Sequence, residues 1–123
     1  MIIHLCEKLK KDRYKPAVIS RGYKRKSMGL IIVNDGLNPL ASVQDSGDEA
    51  YLISKKLIDV PVVVCAQREQ AAEHIIQNFP DVNVILLDDG LQYRKIHREL
   101  DIVLLKGFEC CTILREPKSS LKR

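Results

Sequence analysis

Two adjacent carboxylates after an apolar run are the most chemically informative residues of this 123-residue chain. Asp88 and Asp89 directly follow the apolar residues 84–87, and Gly90 ends the segment. The β-branched residues and the short length predict a strand buried on both faces, as in a parallel sheet covered by helices. Ligands of such sheets bind beyond the carboxyl ends of the strands, where an aspartate can hold the magnesium ion of a nucleoside triphosphate. On this segment alone, a turn that closes an ordinary strand is the simpler interpretation.

A second segment, residues 20–25, follows an apolar stretch that predicts a strand over 16–20. Its position again places polar side chains at the carboxyl end of a strand. Gly22 permits a tight turn, and Arg21 and Arg25 can make paired hydrogen bonds to phosphate or carboxylate oxygens. A charged surface loop explains the same residues equally well.

A third segment contains Asp48 and Glu49 at the predicted start of a helix, directly after Gly47. In a catalytic interpretation, one carboxylate is a base and the other a metal ligand. Acidic residues are also common in a first helical turn because they complement the helix dipole. The dipole therefore explains both residues without any chemistry.

A fourth segment, Leu114-Arg115-Glu116-Pro117, lies near the end of the sequence. An arginine beside a phosphoryl group can neutralise the charge that develops in a transition state. Viewed alone, the segment is more typical of a linker or of the start of a helix.

The elements that must position these side chains follow from hydrophobic periodicity. Helical spacing is found from Ile2 to Leu9, from Asp48 to Leu57 and from Gln67 to Phe79, whereas residues 34–46 are polar and predict a loop. Short apolar runs predict strands over 16–20, 30–33, 61–65, 84–87 and 101–105. Alternating strands and helices predict an α/β fold with a mostly parallel sheet flanked by helices.

Composition restricts the function classes. The net charge is +4, with basic clusters at 24–26, 94–98 and 118–123, which suit an anionic partner or, more simply, solvated loops. Four cysteines show no zinc-ligand spacing; Cys6 and Cys65 lie in apolar segments and are expected to be core thiols in a reducing cytosol. No apolar run approaches the roughly 20 residues that cross a bilayer.

Taken together and in this order, the four segments resemble tetraacyldisaccharide 4'-kinase, a kinase of lipid A biosynthesis, over nearly the whole chain. The resemblance implies a P-loop kinase fold and transfer of the ATP γ-phosphate, with Mg2+, to the 4'-hydroxyl of the lipid A disaccharide precursor. It implies the catalytic residues Asp48, Glu49, Asp89 and Arg115. It implies the substrate-binding residues Ser20, Arg21, Gly22, Tyr23 and Arg25. It implies the metal ligands Asp88 and Glu49 and the nucleotide-binding residues Glu116 and Gln92.

The sequence departs from the family pattern at the phosphate cradle. The motif Gly-x-x-x-x-Gly-Lys-Ser/Thr does not occur within the 123 residues, and Tyr93 stands where the family usually has a histidine. We therefore expect a partial P-loop-kinase-like core over 1–107, an irregular basic tail over 108–123, and impaired or no activity of the chain alone. A second chain that supplies the cradle is one expected partner. The resemblance also implies a cytoplasmic protein that contacts the inner-membrane surface.

Two alternatives remain open from the sequence. One is a non-catalytic module that binds anionic lipid or another polyanion, and the other is a structural relic without activity. Four carboxylates beside the basic loops would repel a polyanion, so their presence favours a metal-dependent enzyme. No nucleic-acid partner is expected.

Overall fold

The computed structural model of this chain describes residues 1–104, which divide into a compact unit, Met1–Asp89, and a second unit that begins at Gly90. The elements of the first unit are α1 (Ile2–Lys11), β1 (Pro16–Ser20), β2 (Ile31–Asp35), α2 (Val43–Ser46), α3 (Asp48–Lys56), β3 (Pro61–Val64), α4 (Arg68–Asn78) and β4 (Val84–Leu87). No helix among residues 1–104 has the length and apolar character needed to span a membrane.

The four strands form one sheet in the order β2-β3-β1-β4. Strand β1 pairs in parallel with both β3 and β4, and β2 pairs antiparallel with β3, with a register shift around Val33. The predicted fold class, a mostly parallel sheet flanked by helices, is therefore confirmed. The parallel pairing requires crossover connections, and α4 provides the one between β3 and β4.

Helices cover both faces of the sheet, which explains why the strands are continuously apolar. On one face, Cys6 of α1 and Ile53 of α3 pack with Val18 of β1. On the other face, Ile75 of α4 packs with Ile19 of β1. Adjacent residues of β1 thus serve opposite layers, as the pleat of a strand requires.

The two cysteines of the first unit are core thiols, as predicted. Cys6 and Cys65 are buried and free, one in each hydrophobic layer. Burial raises the pKa of the Cys6 thiol to about 11, so the group remains protonated and unreactive at neutral pH.

A buried amide on β2 anchors the end of α3. The strand extends two residues beyond the predicted range, and Asn34 is only 1% exposed. Its Nδ2 donates to the carbonyls of Ser54, Leu57 and Ile58 at 3.3, 3.4 and 3.1 Å. These carbonyls lie at the C-terminal end of α3, where no intrahelical donor satisfies them. Asn34 therefore fixes the C-terminal end of α3, the helix that begins at Asp48.

The prediction of a strand over 101–105 is wrong for residues 101–104, and Leu105 lies outside the described residues. Residues 101–104 have no regular secondary structure, and Ile102 and Leu104 are 47% and 73% exposed. An apolar run becomes a strand only when its backbone pairs with a neighbour, and no ladder within residues 1–104 includes this one. Asp101 instead forms an ion pair with Arg98, Oδ1 to Nε, at 2.7 Å.

The predicted loop before α3 contains the short helix α2. Its N-cap is Ser42, whose hydroxyl oxygen accepts from the Asp45 N–H at 3.3 Å and donates to the Asp45 carboxylate at 2.8 Å. Ser-x-x-Asp is a helix-start signal, but four residues are too few to show periodicity. The N-cap of α3 is Gly47, which lies between Ser46, the last residue of α2, and Asp48, the first residue of α3.

We expect Asn34→Ala to lower the free energy of unfolding by about 1–3 kcal/mol, because the carbonyls at the end of α3 lose a buried donor. Urea unfolding of both proteins measures this change. Asn38→Ala is the control, because Asn38 is exposed and takes no part in the contact. Equal destabilisation by the two substitutions would show that Asn34 does not anchor α3.

Candidate functional site

Three parallel strands bring two of the sequence motifs to one edge of the sheet. The Asp88 N–H donates to the Ile19 carbonyl at 2.8 Å, and the Cys65 N–H donates to the Ser20 carbonyl at 3.1 Å. Both bonds continue the ladder one residue beyond the strands. Ser20 and Asp88, which are far apart in sequence, therefore emerge side by side at the carboxyl edge.

Helix α3 contributes the other carboxylates. Asp48 and Glu49 occupy its first turn and are exposed, while Ala50 and Ile53 pack into the layer that covers β1 and β3. The charge of Glu49 acts on Asp88 and raises its pKa. The start of α3 and the end of β4 therefore lie within electrostatic range of each other.

Asp88 is the most perturbed carboxyl group at this edge. Its pKa is raised from 3.8 to about 6, mainly by burial and further by the negative charges of Glu49 and Asp89. Its Oδ2 is buried and has no hydrogen-bond partner among the described residues. The amino group of Met1 has the opposite, smaller effect on this pKa, which places the start of α1 on the same side. An unsatisfied carboxylate oxygen among other acids favours the binding of a proton or a cation.

Asp89 follows in a turn with a positive backbone angle. Residues 88 and 89 form the turn that ends β4, and Asp89 has φ of 51°. Aspartate tolerates this left-handed region better than most residues, yet such positions concentrate at functional sites. The turn predicted after residues 84–87 is therefore confirmed for the backbone. The same turn places Asp88 at the carboxyl edge of the sheet.

These residues fit a magnesium ion shared with a phosphate ligand better than a metal held by protein alone. Within residues 1–104, no three or more Asp, Glu, His or Cys side chains are arranged to enclose a metal ion. Mg2+ usually takes only one or two carboxylates and completes its shell with water and phosphate oxygens. The unsatisfied Oδ2 of Asp88 can supply one such ligand, with Glu49 as its acidic neighbour.

The basic loop, residues 21–29, borders an open depression of about 370 Å3 that reaches Ala66 at the end of β3. Arg21 is exposed and makes no ion pair within the described part of the chain. Tyr23 is 69% exposed, and the Lys24 Nζ lies 5.4 Å from the centroid of its ring. Cationic and aromatic groups are thus presented together to solvent.

Arg25 is half-buried and contacts other residues of the basic loop. Its Nη2 donates to the Gly29 carbonyl at 2.5 Å, and its Nη1 donates to the Ser27 hydroxyl at 3.3 Å. The guanidinium therefore closes the basic loop on itself. Binding of substrate by Arg25 stays a prediction, whereas its contribution to the shape of the loop is visible.

Two glycines hold the basic loop against the start of α3. A Cβ on Gly47 would lie 2.8 Å from the Tyr23 carbonyl oxygen, and a Cβ on Gly22 would lie 3.1 Å from the Ser46 carbonyl oxygen. Both glycines also have positive φ, 71° at Gly22 and 85° at Gly47. The two motifs therefore meet backbone to backbone, and at Gly47 their separation leaves no room for a side chain.

The remaining predicted site residues belong to other parts of the chain. Gln92 is an exposed residue of the unit that begins at Gly90. Arg115, Glu116 and the predicted domain boundary at 107/108 lie outside the described residues. Sequence reasoning missed the close approach at Gly47, for which the only signal was a glycine directly before two acidic residues.

Comparison with known proteins gives consistent matches. The sequence model of the family described as "LpxK: Tetraacyldisaccharide-1-P 4'-kinase" matches residues 1–122. The tetraacyldisaccharide 4'-kinase of Chlorobium chlorochromatii is 42% identical over 120 residues, which are 89% of this chain and 32% of that protein. The kinase of Aquifex aeolicus is 38% identical over 128 residues, which are 99% of this chain and 40% of that protein. This chain thus spans only 32% and 40% of the lengths of these two relatives.

A solved structure matches as well. The crystal structure of LpxK from Aquifex aeolicus in complex with ATP superposes with a TM-score of 0.84 at 37% sequence identity. The superposition covers 98% of this chain and 39% of that chain.

The raised pKa of Asp88 predicts a specific pH dependence of stability. Because the folded state binds this proton more tightly than the unfolded state, the stability that it contributes is lost as pH rises from about 4 to about 6. We expect Asp88→Asn to gain stability relative to the unmodified chain at about pH 7.5, and to lose that advantage at about pH 4.5. Urea unfolding at the two pH values measures the difference. Asp81→Asn, at an exposed position, is the control; the same pH-dependent gain there would refute the assignment.

Proposed function

Because this chain belongs to the tetraacyldisaccharide-1-P 4'-kinase family, we propose that it forms the carboxylate-bearing part of an ATP-dependent kinase site. The resemblance predicted from the four sequence segments is thereby confirmed. The reaction is transfer of the ATP γ-phosphoryl group to the 4'-hydroxyl of a tetraacyl disaccharide 1-phosphate in lipid A biosynthesis. The single observation that carries the proposal is Asp88, half-buried at a strand end, with Glu49 nearby and with one oxygen that no residue among 1–104 satisfies.

The proposed chemistry assigns separate roles to the acids. The 4'-hydroxyl oxygen attacks the γ-phosphorus, the bond from that phosphorus to the bridging oxygen breaks, and ADP leaves with the electron pair. Asp48 takes the hydroxyl proton, a role that suits its exposure at the start of α3. A hydroxyl oxygen that loses its proton as it attacks is a better nucleophile.

Asp88 and Glu49 are the proposed magnesium ligands, with Asp89 as their catalytic neighbour. When bound, the ion would neutralise charge on the β- and γ-phosphates. The chain's own contribution is to keep an acid half-buried at this edge, where an electrostatic interaction is less screened than in bulk water. Gln92 and Glu116 are proposed to contact the nucleotide, and Arg115 to stabilise transition-state charge.

The basic loop is proposed to bind the anionic substrate. Arg21 and Lys24 supply exposed positive charge, and Ser20 stands at the carboxyl edge beside Asp88. Tyr23 and Met28 are 69% and 91% exposed, so the loop also offers apolar surface beside its cations. That combination suits the interface of an anionic membrane, and contact with the cytoplasmic side of the inner membrane is part of the proposal.

The phosphate cradle is the component that these 123 residues do not contain. Its backbone amides and lysine hold the β- and γ-phosphates in P-loop kinases. One or two carboxylates cannot replace those donors, because they repel phosphate. Impaired ATP use by the isolated chain, and a second chain that supplies the cradle, are accordingly parts of the proposal.

Manganese tests the metal site directly. In the 15N spectrum of the full 123-residue chain, substoichiometric Mn2+ added with ATP is expected to broaden the amides of Glu49, Asp88 and Asp89 before all others. Asp88→Asn should abolish this selective broadening, whereas Asp48→Asn should preserve it, because Asp48 is proposed as a base and not as a ligand. Uniform broadening would exclude the proposed site. If the Asp88→Asn chain then bound anionic vesicles as well as the unmodified chain, the polyanion-binding module would be favoured.

Calorimetric titration with Mg2+-ATP tests the dependence on the cradle. We expect the 123-residue chain to show no saturable binding in the micromolar range, because most phosphate donors of the kinase site lie outside these residues. The relative from Aquifex aeolicus, titrated under the same conditions, is the positive control. Micromolar affinity in the isolated chain would show that it needs no further cradle.

A further inference from the structure

The backbone contact between the basic loop and α3 is reciprocal. Gly47 excludes a side chain because of the Tyr23 carbonyl oxygen, which would lie 2.8 Å from its Cβ, and the Gly22 carbonyl carbon, at 3.3 Å. A Cβ on Gly22 would meet the Arg25 Cδ at 2.6 Å and would approach the Ser46 carbonyl oxygen closely, at 3.1 Å. Real Cβ atoms do not approach backbone atoms within 3.0 Å. A side chain at position 47 must therefore move either the loop or the start of the helix.

Hydrogen bonds extend this contact along the loop. The Lys26 N–H donates to the Gln44 carbonyl at 2.8 Å, and the Ser27 hydroxyl donates to the Asp45 carbonyl. Both acceptors lie in α2, the short helix that leads into Gly47. The loop is thus attached to α2 at two points and to the α2–α3 junction at a third.

The arrangement leaves α3 little freedom to move independently of the loop. Asn34 holds the C-terminal end of α3 through three carbonyls, and the contact at Gly47 holds the N-terminal end. Asp48 and Glu49 follow Gly47 directly. The position of these two carboxylates is therefore set by the same backbone that presents Arg21 and Lys24.

We propose that Gly47 is a positioning residue of the kinase site, because its close contact with Tyr23 makes the basic loop and the start of α3 move as one body. Anionic substrate bound at Arg21 and Lys24 would then bring Asp48 and Glu49 into a defined position for proton removal. The inference rests on the proposed function for the roles of the acids. The mechanical coupling itself does not depend on turnover.

Inorganic pyrophosphate is a suitable probe, because it carries the anionic chemistry of the ligand and needs neither ATP nor catalysis. In the 15N spectrum of the full chain, the amides of residues 21–24 and those of Asp48 and Glu49 should shift together, with one dissociation constant. In Gly47→Ala, the loop amides should still shift, whereas the response of Asp48 and Glu49 should be lost. Amides of Val63 and Ile75 in the opposite layer report whether the fold is retained.

Gly36→Ala is the matched control. Gly36 has φ of 87°, against 85° for Gly47, so both substitutions place a side chain at a positive φ. The nearest atom to a Cβ at Gly36 is a Pro61 side-chain carbon at 3.4 Å, which is an ordinary contact. We therefore expect Gly36→Ala to keep the joint response. If Gly47→Ala does not fold, Ser27→Ala removes one attachment without a clash and should weaken the response of Asp48 and Glu49.

Three results would overturn the proposal. The first is a joint response that survives Gly47→Ala or, if that variant does not fold, that survives Ser27→Ala undiminished. The second is a shift of the loop amides in the unmodified chain without a shift at Asp48 and Glu49. The third is the absence of any shift at residues 21–24. None of these outcomes depends on kinase activity. Failure of the coupling and failure of the proposed function are therefore separate results.

Discussion

The parallel pairing of β1 with both of its neighbours is the constraint on which the site depends. Because β1, β3 and β4 run in the same direction, their carboxyl ends meet at one edge, and residues that are nearly seventy positions apart become neighbours. The pairing is possible only because apolar layers cover both faces. Removal of either layer would expose the valines and isoleucines of these strands, so the carboxyl edge and the hydrophobic core are consequences of the same packing.

The electrostatic environment of Asp88 lowers the stability of the folded chain and favours the binding of a cation at this edge. Burial and two neighbouring negative charges disfavour the ionised form of Asp88, and no described donor satisfies its Oδ2. An apolar residue at this position would avoid the free-energy cost of burying a carboxylate. A group that the fold itself does not satisfy is better understood through what it binds, and its cationic complement, the basic loop, lies on separate backbone that is attached to α2 and α3.

The sequence predicted those features that local pattern encodes. Strands β1 and β4 are apolar runs, α4 is a periodic helix, and the rule for strand ends placed Ser20 and Asp88 together. The features it did not predict depend on distant partners. Asn34 is an ordinary turn-former in sequence and becomes an anchor only because α3 ends beside it. Helix α2 is too short for periodicity, and residues 101–104 have the composition of a strand without a ladder among residues 1–104.

The position of Asp88 separates the demands of chemistry from those of folding. Most core residues are retained in evolution because their replacement weakens the protein, so a lineage that no longer used the activity would still conserve them. Asp88 is different, because a neutral residue of the same size relieves a desolvation penalty. Relaxed selection would therefore erode this position early while the surrounding sheet persisted. Under the proposed kinase function, the acid at position 88 would be retained for binding and not for stability.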